Sequence, residues 1–432
     1  MERSSSKLWV EICLSVAAVF SCCYALTRDI RYSREYMGDL RNRIVGARII
    51  RDGGSPYFYK YSPTDPIDYY DPQAFDTHAA SISTSTPFLH RLLIPLAHWP
   101  YVTIMRVWMA VLYVLFLGMT GYAFGLTRAP SGRLAVVVVA GLFLLTNAWE
   151  LHAKYGQTYL LIPALAMLTF ALRRWPFLAG LSAAALVMVR PNAVLFLIPF
   201  VLMRGFRWAS ILPAAVALGW ILISPRERSL WGDYAAMLDE QVKIHQDLGA
   251  RQRPIRVDPV IREWEGLNMD TVRARIGRDP VRIYSENGNL FVLYRQLVGR
   301  PMPIALLAVL GAAAIGVVIW VFPKVRRRYG DGGPERLAII GFCLYMISDL
   351  FSPIYRHAYY GVQWIMPLLL AASLYRGRNN WVYGGLLICL LLNVVHLPFL
   401  RMSNTIGEYG FLIGLLIIGF AQEVENLRAP AY

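Results

Sequence analysis

Long apolar runs separated by short basic clusters are the feature that most constrains this chain. Several runs approach the 20 or so residues that an α-helix needs to cross the hydrocarbon core of a bilayer. Charged residues make up only 16% of the 432 positions, against about 25% in a typical soluble domain. We therefore expect an all-α polytopic membrane protein, folded as a single transmembrane domain over residues 1–432.

The apolar runs predict roughly twelve transmembrane helices. Several of them are shorter than ideal, and the sixth is the weakest. In chain order they are Leu8–Leu26, Tyr101–Leu126, Leu134–Trp149, Thr158–Leu172, Pro176–Val189, Ala193–Met203, Ala209–Ile223, Ile304–Phe322, Leu337–Phe351, Tyr359–Leu374, Trp381–Leu400 and Phe411–Ala421.

The basic clusters predict the orientation. With the N-terminus in the cytoplasm, the Arg/Lys-rich loops all fall on the cytoplasmic side, as the positive-inside rule requires. This asymmetry explains much of the formal net charge of +15. No RRM, KH or zinc-finger pattern accompanies it, so nucleic acid is not an expected partner. Two long segments, Thr27–Pro100 and Pro225–Pro301, are then predicted to be extracytoplasmic.

Each long outer segment carries a helical pattern. In the first, Leu40, Ile44 and Ala47 share one face of a predicted helix over Asp39–Arg51, which Asp52, Gly53 and Gly54 end. In the second, apolar residues recur at helical spacing and predict an amphipathic helix lying on the membrane or on the bundle. These residues are Trp231, Tyr234, Leu238, Val242 and His245.

The cysteines do not predict a cofactor or metal site. All five lie in or beside apolar segments, without CxxC pairs or Cys/His spacing. We expect neither a disulfide framework nor a bound metal.

Polar residues near the outer ends of the spans are the candidates for chemistry, because ionisable groups at membrane depth are costly. Asp39 starts the predicted first-loop helix. By position alone it is most simply a helix N-cap, or the partner of Arg43 one turn on. A catalytic carboxylate is the alternative.

The candidate cations have structural alternatives too. Lys154, close to Gln157, suits phosphate binding, but a lysine at the interface also snorkels toward water. Arg190, followed by Pro191 and Asn192, either anchors a helix at the interface or donates to phosphate oxygens.

Two further clusters lie just before the eighth predicted span and just after the ninth. Glu286 lies in the polar stretch Ser285–Asn289, which is either part of a site or simply a turn and helix cap. Arg356 and His357 follow a Ser-Pro break and suit phosphate binding or proton transfer, or form a polar loop. Together, one carboxylate and several cations on one membrane face suit a site where an anionic lipid headgroup meets a polar acceptor.

The order of several motifs resembles that of glycosyltransferase family 87, membrane enzymes of the GT-C class. The resemblance runs from Asp39 to about Leu374. It is carried by GDLRNRIVGARIIRDGGSPY, KYGQTYLLIPALAMLTFAL, AGLSAAALVMVRPNAVLFLIPFVLMRG, SENGNLFVLYRQL and SPIYRHAYYGVQWIMPLLL. The best-known members are the mannosyltransferases of phosphatidylinositol mannoside synthesis.

The resemblance implies a GT-C-like bundle and a polyprenyl-phosphate-linked sugar donor. Asp39 matches the first-loop aspartate that the class uses as catalytic base, and His357 matches the histidine after the Ser-Pro break. Arg190 stands where the family often has a lysine, which keeps the charge and changes its geometry. GDLRNR lacks a second adjacent carboxylate, so a metal-dependent site is not assumed.

The resulting hypothesis is a plasma-membrane enzyme that moves a sugar, most simply mannose, to a lipid or glycan acceptor on the extracytoplasmic face, with inversion. It assigns catalysis to Asp39 and His357, and donor phosphate binding to Arg190, Lys154 and Arg356. Sugar or acceptor binding is assigned to Gln157, Asn192, Glu286 and Tyr57. No cofactor is required. A lipid flippase or transporter is the alternative, and would place charges near the bilayer midplane.

Overall fold

The computed structural model describes residues 5–72, 83–202, 208–245, 262–276, 288–329, 333–377, 380–395 and 403–420. Within these ranges the fold is almost entirely helical, as the apolar runs predicted. The strands there form a two-stranded antiparallel hairpin, with β1 at Glu263–Trp264 and β2 at Leu267–Asn268.

Nine α-helices lie before residue 203. They are α1 Ser5–Tyr32, α2 Gly38–Arg51, α3 Pro87–Leu93, α4 Tyr101–Leu126, α5 Pro130–Leu144, α6 Asn147–Tyr155, α7 Leu161–Ala171, α8 Pro176–Val189 and α9 Ile198–Leu202. Short 3₁₀ helices occur at Ile67–Tyr69, Ile94–Leu96 and Pro191–Leu197.

Nine more α-helices are described after that point. They are α10 Trp208–Ile223, α11 Pro225–His245, α12 Met269–Ile276, α13 Leu290–Val298, α14 Ile304–Tyr329, α15 Pro334–Leu350, α16 Ile365–Ser373, α17 Asn380–Val394 and α18 Ser403–Phe420. A 3₁₀ helix over Ala358–Trp364 leads directly into α16.

Four helices in the described ranges are long and apolar enough to cross a membrane. They are Glu11–Tyr32 of α1, the whole of α4, Ile304–Lys324 of α14, and α18. The pair α5 and α6 qualifies as one span with a bend of 56°. Five further apolar helices have 10–17 residues. The chain is therefore a multi-pass membrane protein, whereas the count of twelve spans remains a prediction.

Several predicted spans are not continuous helices. The span predicted at Leu134–Trp149 breaks between α5 and α6, where the Thr146 hydroxyl accepts from the Trp149 amide at 3.2 Å and caps the new helix. The span predicted at Ala193–Met203 begins as 3₁₀ helix. α8 ends at Val189, and Arg190 adopts the extended backbone that a following proline favours. The span predicted at Tyr359–Leu374 also starts as 3₁₀ helix.

The helices predicted in the two outer segments are confirmed as α2 and α11, and they pack together. Arg226 on α11 donates to the Ile50 carbonyl at 2.6 Å, and Ser55 donates to the Asp233 carboxylate at 2.8 Å. Arg91 on α3 forms an ion pair with Glu227. The sequence did not predict α3 or the β-hairpin. These contacts hold α11 against α3 and the end of α2.

The β-hairpin holds α2 through an ion-pair cluster that we call the arginine clasp, formed by Arg41, Arg48 and Glu265. Glu265 accepts from Arg41 Nη1 at 2.7 Å and from Arg48 Nη1 at 2.6 Å. Its second oxygen accepts from the Tyr101 amide at 2.9 Å, at the start of α4. Burial would raise the pKa of the Glu265 carboxyl, but the Arg48 and Arg41 guanidinium groups hold it below its usual value.

Candidate active site

A polar cavity of about 220 Å³ opens between α2 and the ends of α6, α8 and α15. We call it the Asp39 cavity. Its lining combines carboxylates, guanidinium groups and aromatic rings with two residues of α11. The lining residues are Asp39, Asn42, Arg43, Thr84, Gln157, Tyr159, Arg190, Leu238, Gln241, Asp349, Ser352, Ile354, Tyr355, Arg356, His357, Tyr359 and Tyr360.

Asp39 does not cap its helix. α2 begins at Gly38 with Met37 in the N-cap position and no side-chain cap. The Asp39 carboxylate instead accepts a hydrogen bond from the Gln157 amide. Arg43 donates to the Asp39 backbone carbonyl at 2.5 Å rather than to its carboxylate. The cap interpretation is therefore wrong, and so is a direct pairing of the Asp39 carboxylate with Arg43.

The environment of Asp39 favours its protonated form more than water does. Burial raises the pKa of its carboxyl from 3.8 to about 6, with a further rise from Asp71 and a partly opposing effect of the Arg43 charge. A carboxyl with this pKa is ionised at neutral pH and is a stronger base than an aspartate in water. These are the properties that a general base needs.

Gln157 reaches Asp39 because α6 ends in a tight turn. Gly156 has a φ of 64°, in the left-handed region that favours glycine. A Cβ at this position would lie 2.7 Å from Leu40 Cβ and 2.8 Å from Met37 Cβ. The missing side chain therefore lets the end of α6 approach the start of α2. This approach places the fully buried Gln157 beside Asp39.

Ion pairs beside the cavity link Asp349 with Arg190 and Arg356, and Arg356 with Glu408. Asp349, at the end of α15, accepts from Arg190 Nη2 at 2.5 Å and from Arg356 Nε at 2.7 Å. Arg356 also pairs with Glu408 on α18. Glu408 in turn accepts from the Trp364 indole at 3.0 Å. Two carboxylates thus orient two guanidinium groups, as buried charges require.

Two arginines that line the cavity retain donor capacity. The Nε atoms of Arg43 and Arg190 are buried and have no hydrogen-bond partner among the described residues. A guanidinium nitrogen can only donate, and an unsatisfied buried donor is costly. An anionic ligand in the cavity would supply the acceptors that these atoms lack.

Aromatic rings form one wall of the cavity. His357 stacks on Tyr359 with ring centroids 5.0 Å apart, and Tyr159 lies 4.0 Å from Tyr360. The guanidinium carbon of Arg190 is 5.9 Å from the ring centroids of both Tyr159 and Tyr360. Burial lowers the pKa of His357 to about 4, so the imidazole is neutral at neutral pH. It offers a hydrogen bond rather than a positive charge.

The structure brings five of the predicted site residues into one cavity, namely Asp39, Gln157, Arg190, Arg356 and His357. It places three others elsewhere, and Glu286 lies outside the described residues. Lys154 Nζ lies 5.4 Å from the Tyr155 ring centroid. Asn192 donates to the Ser348 hydroxyl at 2.9 Å, and the Tyr57 hydroxyl donates to the Ser85 carbonyl at 2.6 Å.

Sequence reasoning missed Asp349, Glu408 and the tyrosines of the aromatic wall. A signal for the two acids was present, because Asp349 follows the long apolar run of α15 and Glu408 is the one charged residue of α18. The tyrosines carried no such signal. In the described ranges, no group of three or more His, Cys, Asp or Glu side chains is arranged to hold a metal ion.

The sequence of this chain matches a known protein family. A search of curated proteins gave no match. The sequence model of glycosyltransferase family 87 matches residues 84–353, which is more than half of the chain. The match includes Gln157, Arg190 and Asp349, whereas Asp39 precedes it and His357 follows it. The resemblance seen in the motifs is thereby confirmed for the family. Membership in this family makes the protein a membrane glycosyltransferase. The chain belongs to glycosyltransferase family 87.

Proposed function

We propose that the protein transfers a sugar, most simply mannose, from a polyprenyl-phosphate donor to a hydroxyl of a lipid or glycan acceptor. The reaction would take place at the extracytoplasmic face of the plasma membrane. One observation carries the proposal. A half-buried carboxylate, Asp39, shares a small cavity with the guanidinium groups of Arg43, Arg190 and Arg356.

The proposed step uses Asp39 as general base. Its carboxylate takes the proton of the acceptor hydroxyl as the acceptor oxygen attacks the anomeric carbon of the sugar. The bond between the anomeric carbon and the phosphate oxygen breaks, and polyprenyl phosphate leaves with the electron pair. The raised pKa of Asp39 supports this role, since base strength near the working pH favours proton transfer.

The guanidinium groups of the cavity support a phosphodiester donor. Three of them line it, while His357 is neutral. Asp349 and Glu408 pair with Arg190 and Arg356, whereas Arg43 forms no ion pair with the described residues and can face the single negative charge of a phosphodiester. The unpartnered Nε atoms of Arg43 and Arg190 can donate to phosphate oxygens as charge builds on the leaving group.

The carboxylates also support inversion. Retention needs a second carboxylate that is free to act as a nucleophile, typically about 5–5.5 Å from the first in glycosidases. Asp349 is the other carboxylate in the lining, and both of its oxygens are held by Arg190 and Arg356. It is therefore engaged in orienting cations. A single base suffices for direct displacement.

Sugar transfer by purified protein in nanodiscs tests the proposal. A polyprenyl-phosphate sugar and a nucleoside-diphosphate sugar are supplied in separate reactions with a lipid acceptor. The anomeric configuration of the product is determined by NMR. We expect transfer from the polyprenyl-phosphate donor alone, with inverted configuration. Transfer from the nucleotide sugar without a lipid donor would contradict the proposal. Translocation of labelled polyprenyl phosphate without sugar transfer would favour the flippase alternative instead.

A further inference from the structure

Gln157 lies between the Asp39 carboxylate and the Arg43 guanidinium. Its Oε1 accepts from Arg43 Nη2 at 2.6 Å, and its Nε2 donates to Asp39 Oδ2. The side chain is fully buried, and both of its polar ends are engaged within the protein. This arrangement differs from the sugar or acceptor contact that the sequence suggested for Gln157.

We propose that Gln157 is a positioning residue, a neutral spacer that fixes one oxygen of the Asp39 carboxylate and keeps the Arg43 guanidinium away from it. The inference rests on the proposed role of Asp39 as the base. It adds a residue that acts through that base, since Gln157 orients the Asp39 carboxylate and takes no proton itself.

The orientation of the amide follows from chemistry. Arginine has only donors, so the Gln157 oxygen has to face Arg43. The amide nitrogen must then face Asp39, where it donates to a carboxylate that can only accept. The second Asp39 oxygen receives no hydrogen bond from the described residues. It remains available for the acceptor hydroxyl.

A spacer matters because Arg43 is one helical turn from Asp39, at a spacing where side chains commonly form ion pairs. An adjacent guanidinium typically lowers the pKa of an aspartate by about 1–3 units. The described residues form no ion pair with the Asp39 carboxylate. Instead, Arg43 is anchored on Gln157 and on the Asp39 carbonyl. Gln157 thus preserves the basicity of the carboxylate.

The charged and titratable groups around Asp39 come from several elements. Arg43 lies on α2, Asp71 follows the 3₁₀ helix at Ile67–Tyr69, and the phenols of Tyr101 and Tyr359 also interact with the carboxylate. Both phenols stay neutral near pH 6. A change at Gln157 therefore acts on Asp39 mainly through Arg43 and through the new side chain itself.

Two substitutions test the spacer in opposite directions. Gln157→Glu keeps the acceptor for Arg43 but faces Asp39 with a second carboxylate, so the pKa of Asp39 should rise by about one unit or more. Gln157→Leu removes the anchor of Arg43, which then turns to the Asp39 carboxylate, so that pKa should fall. In Gln157→Leu we expect kcat to fall about tenfold with KM within about twofold, because orientation rather than binding is lost.

The pKa of Asp39 can be measured without turnover. A hydrophobic carbodiimide reacts with protonated carboxyl groups, and peptide mass spectrometry gives the labelled fraction of Asp39 at each pH. This readout needs no sugar donor, so it remains valid if the proposed function fails. The Asp39→Asn variant identifies the background. The acid limb of kcat/KM in the transfer assay should move with the labelling midpoint.

Gln363 provides the matched control. It is equally buried, and its amide is also engaged at both ends, by the Tyr345 hydroxyl and the Tyr360 carbonyl. Gln363→Leu should cost stability without moving the labelling midpoint of Asp39. Midpoints that shift upward in Gln157→Glu and downward in Gln157→Leu support the spacer. Unchanged midpoints, shifts in the same direction, or shifts no larger than in Gln363→Leu overturn it.

Discussion

Helix α2 carries arginines that face two different environments. In the arginine clasp, all three guanidinium nitrogens of Arg41 and of Arg48 donate to carbonyl groups or to Glu265. In the Asp39 cavity, Arg43 uses two of its nitrogens and leaves a buried Nε without a partner in the described part of the chain. Arg190, which also lines the cavity, has such an Nε as well.

The difference separates residues that hold the fold from residues that build the site. Buried donors in proteins are normally satisfied, and each exception calls for an explanation. The clasp is complete within the protein, so its loss should act on stability. The cavity is incomplete within the protein, so changes there should act on catalysis. The predictions below test this separation, beginning with the largest effect.

Replacing the cavity carboxylate should abolish most activity and leave the fold intact. Asp39→Asn keeps the size of the side chain but cannot accept the proton, so turnover should fall about 10²–10⁴-fold. Initial rates of sugar transfer and the thermal unfolding midpoint are measured on the same preparation. Asp52→Asn, at the exposed far end of α2, is the control and should transfer sugar normally. Near-normal turnover by Asp39→Asn would remove Asp39 from the mechanism.

Replacing the clasp carboxylate should have the opposite effect. Glu265→Gln leaves two buried arginines without their counter-charge, and breaking a buried pair typically costs about 3–5 kcal/mol. We expect poor expression and a lower unfolding midpoint in detergent, with normal turnover per folded molecule. Glu263→Gln alters an exposed carboxylate of the same hairpin and serves as the control. A Glu265→Gln protein that is stable but inactive would show that the clasp acts in catalysis and not only in stability.

Arg190 should show a graded loss. Arg190→Ala removes a cation that faces the cavity and deprives Asp349 of a partner, so kcat/KM should fall about 10²-fold. Arg190→Lys should be milder, since it keeps the charge and loses the planar fork. The measurement is transfer rate against donor concentration, with the exposed Arg376→Ala as the control. Equal losses of kcat/KM in the lysine and alanine variants would show that the positive charge of Arg190 is not what supports transfer.

The smallest effect is a pH dependence. Because burial raises the pKa of Asp39 to about 6, the ionised base is lost as the pH falls through about 6. We expect kcat/KM to decline about tenfold per pH unit below that value, and to be flat above it up to neutral pH. His357 should add no titration between pH 5 and 8, since its pKa is about 4. If kcat/KM declined only below about pH 4, the pKa of Asp39 would be close to that of an aspartate in water, and the prediction would be wrong.

Much of the fold could be predicted from local patterns. Apolar length identified the long helices, and helical periodicity identified α2 and α11, because both signals lie within consecutive residues. The break at Thr146 was harder, because the predicted span runs through it and the Thr146 cap is what ends the first helix there. The break at Arg190-Pro191-Asn192 was visible in the sequence, but the 3₁₀ helix that follows it was not.

The sequence predicted several residues of the site but not the contacts between them. Asp39, Arg190 and His357 are ionisable residues beside apolar segments, which the sequence displays directly. The contact between Asp39 and Gln157 joins residues 118 positions apart. No periodicity encodes such a pairing. The same holds for Asp349, whose role depends on two arginines arriving from different helices.

The arginine clasp also imposes an order on biogenesis. Glu265 lies 224 residues after Arg41 and 217 after Arg48. While the chain is being synthesised, α2 emerges long before the carboxylate that neutralises its two arginines. Contacts of such long sequence separation form late. The ion pairs that hold the helix with Asp39 can therefore form only after residue 265 has been made. A nascent chain that stops before residue 265 would expose those arginines to chaperones and proteases.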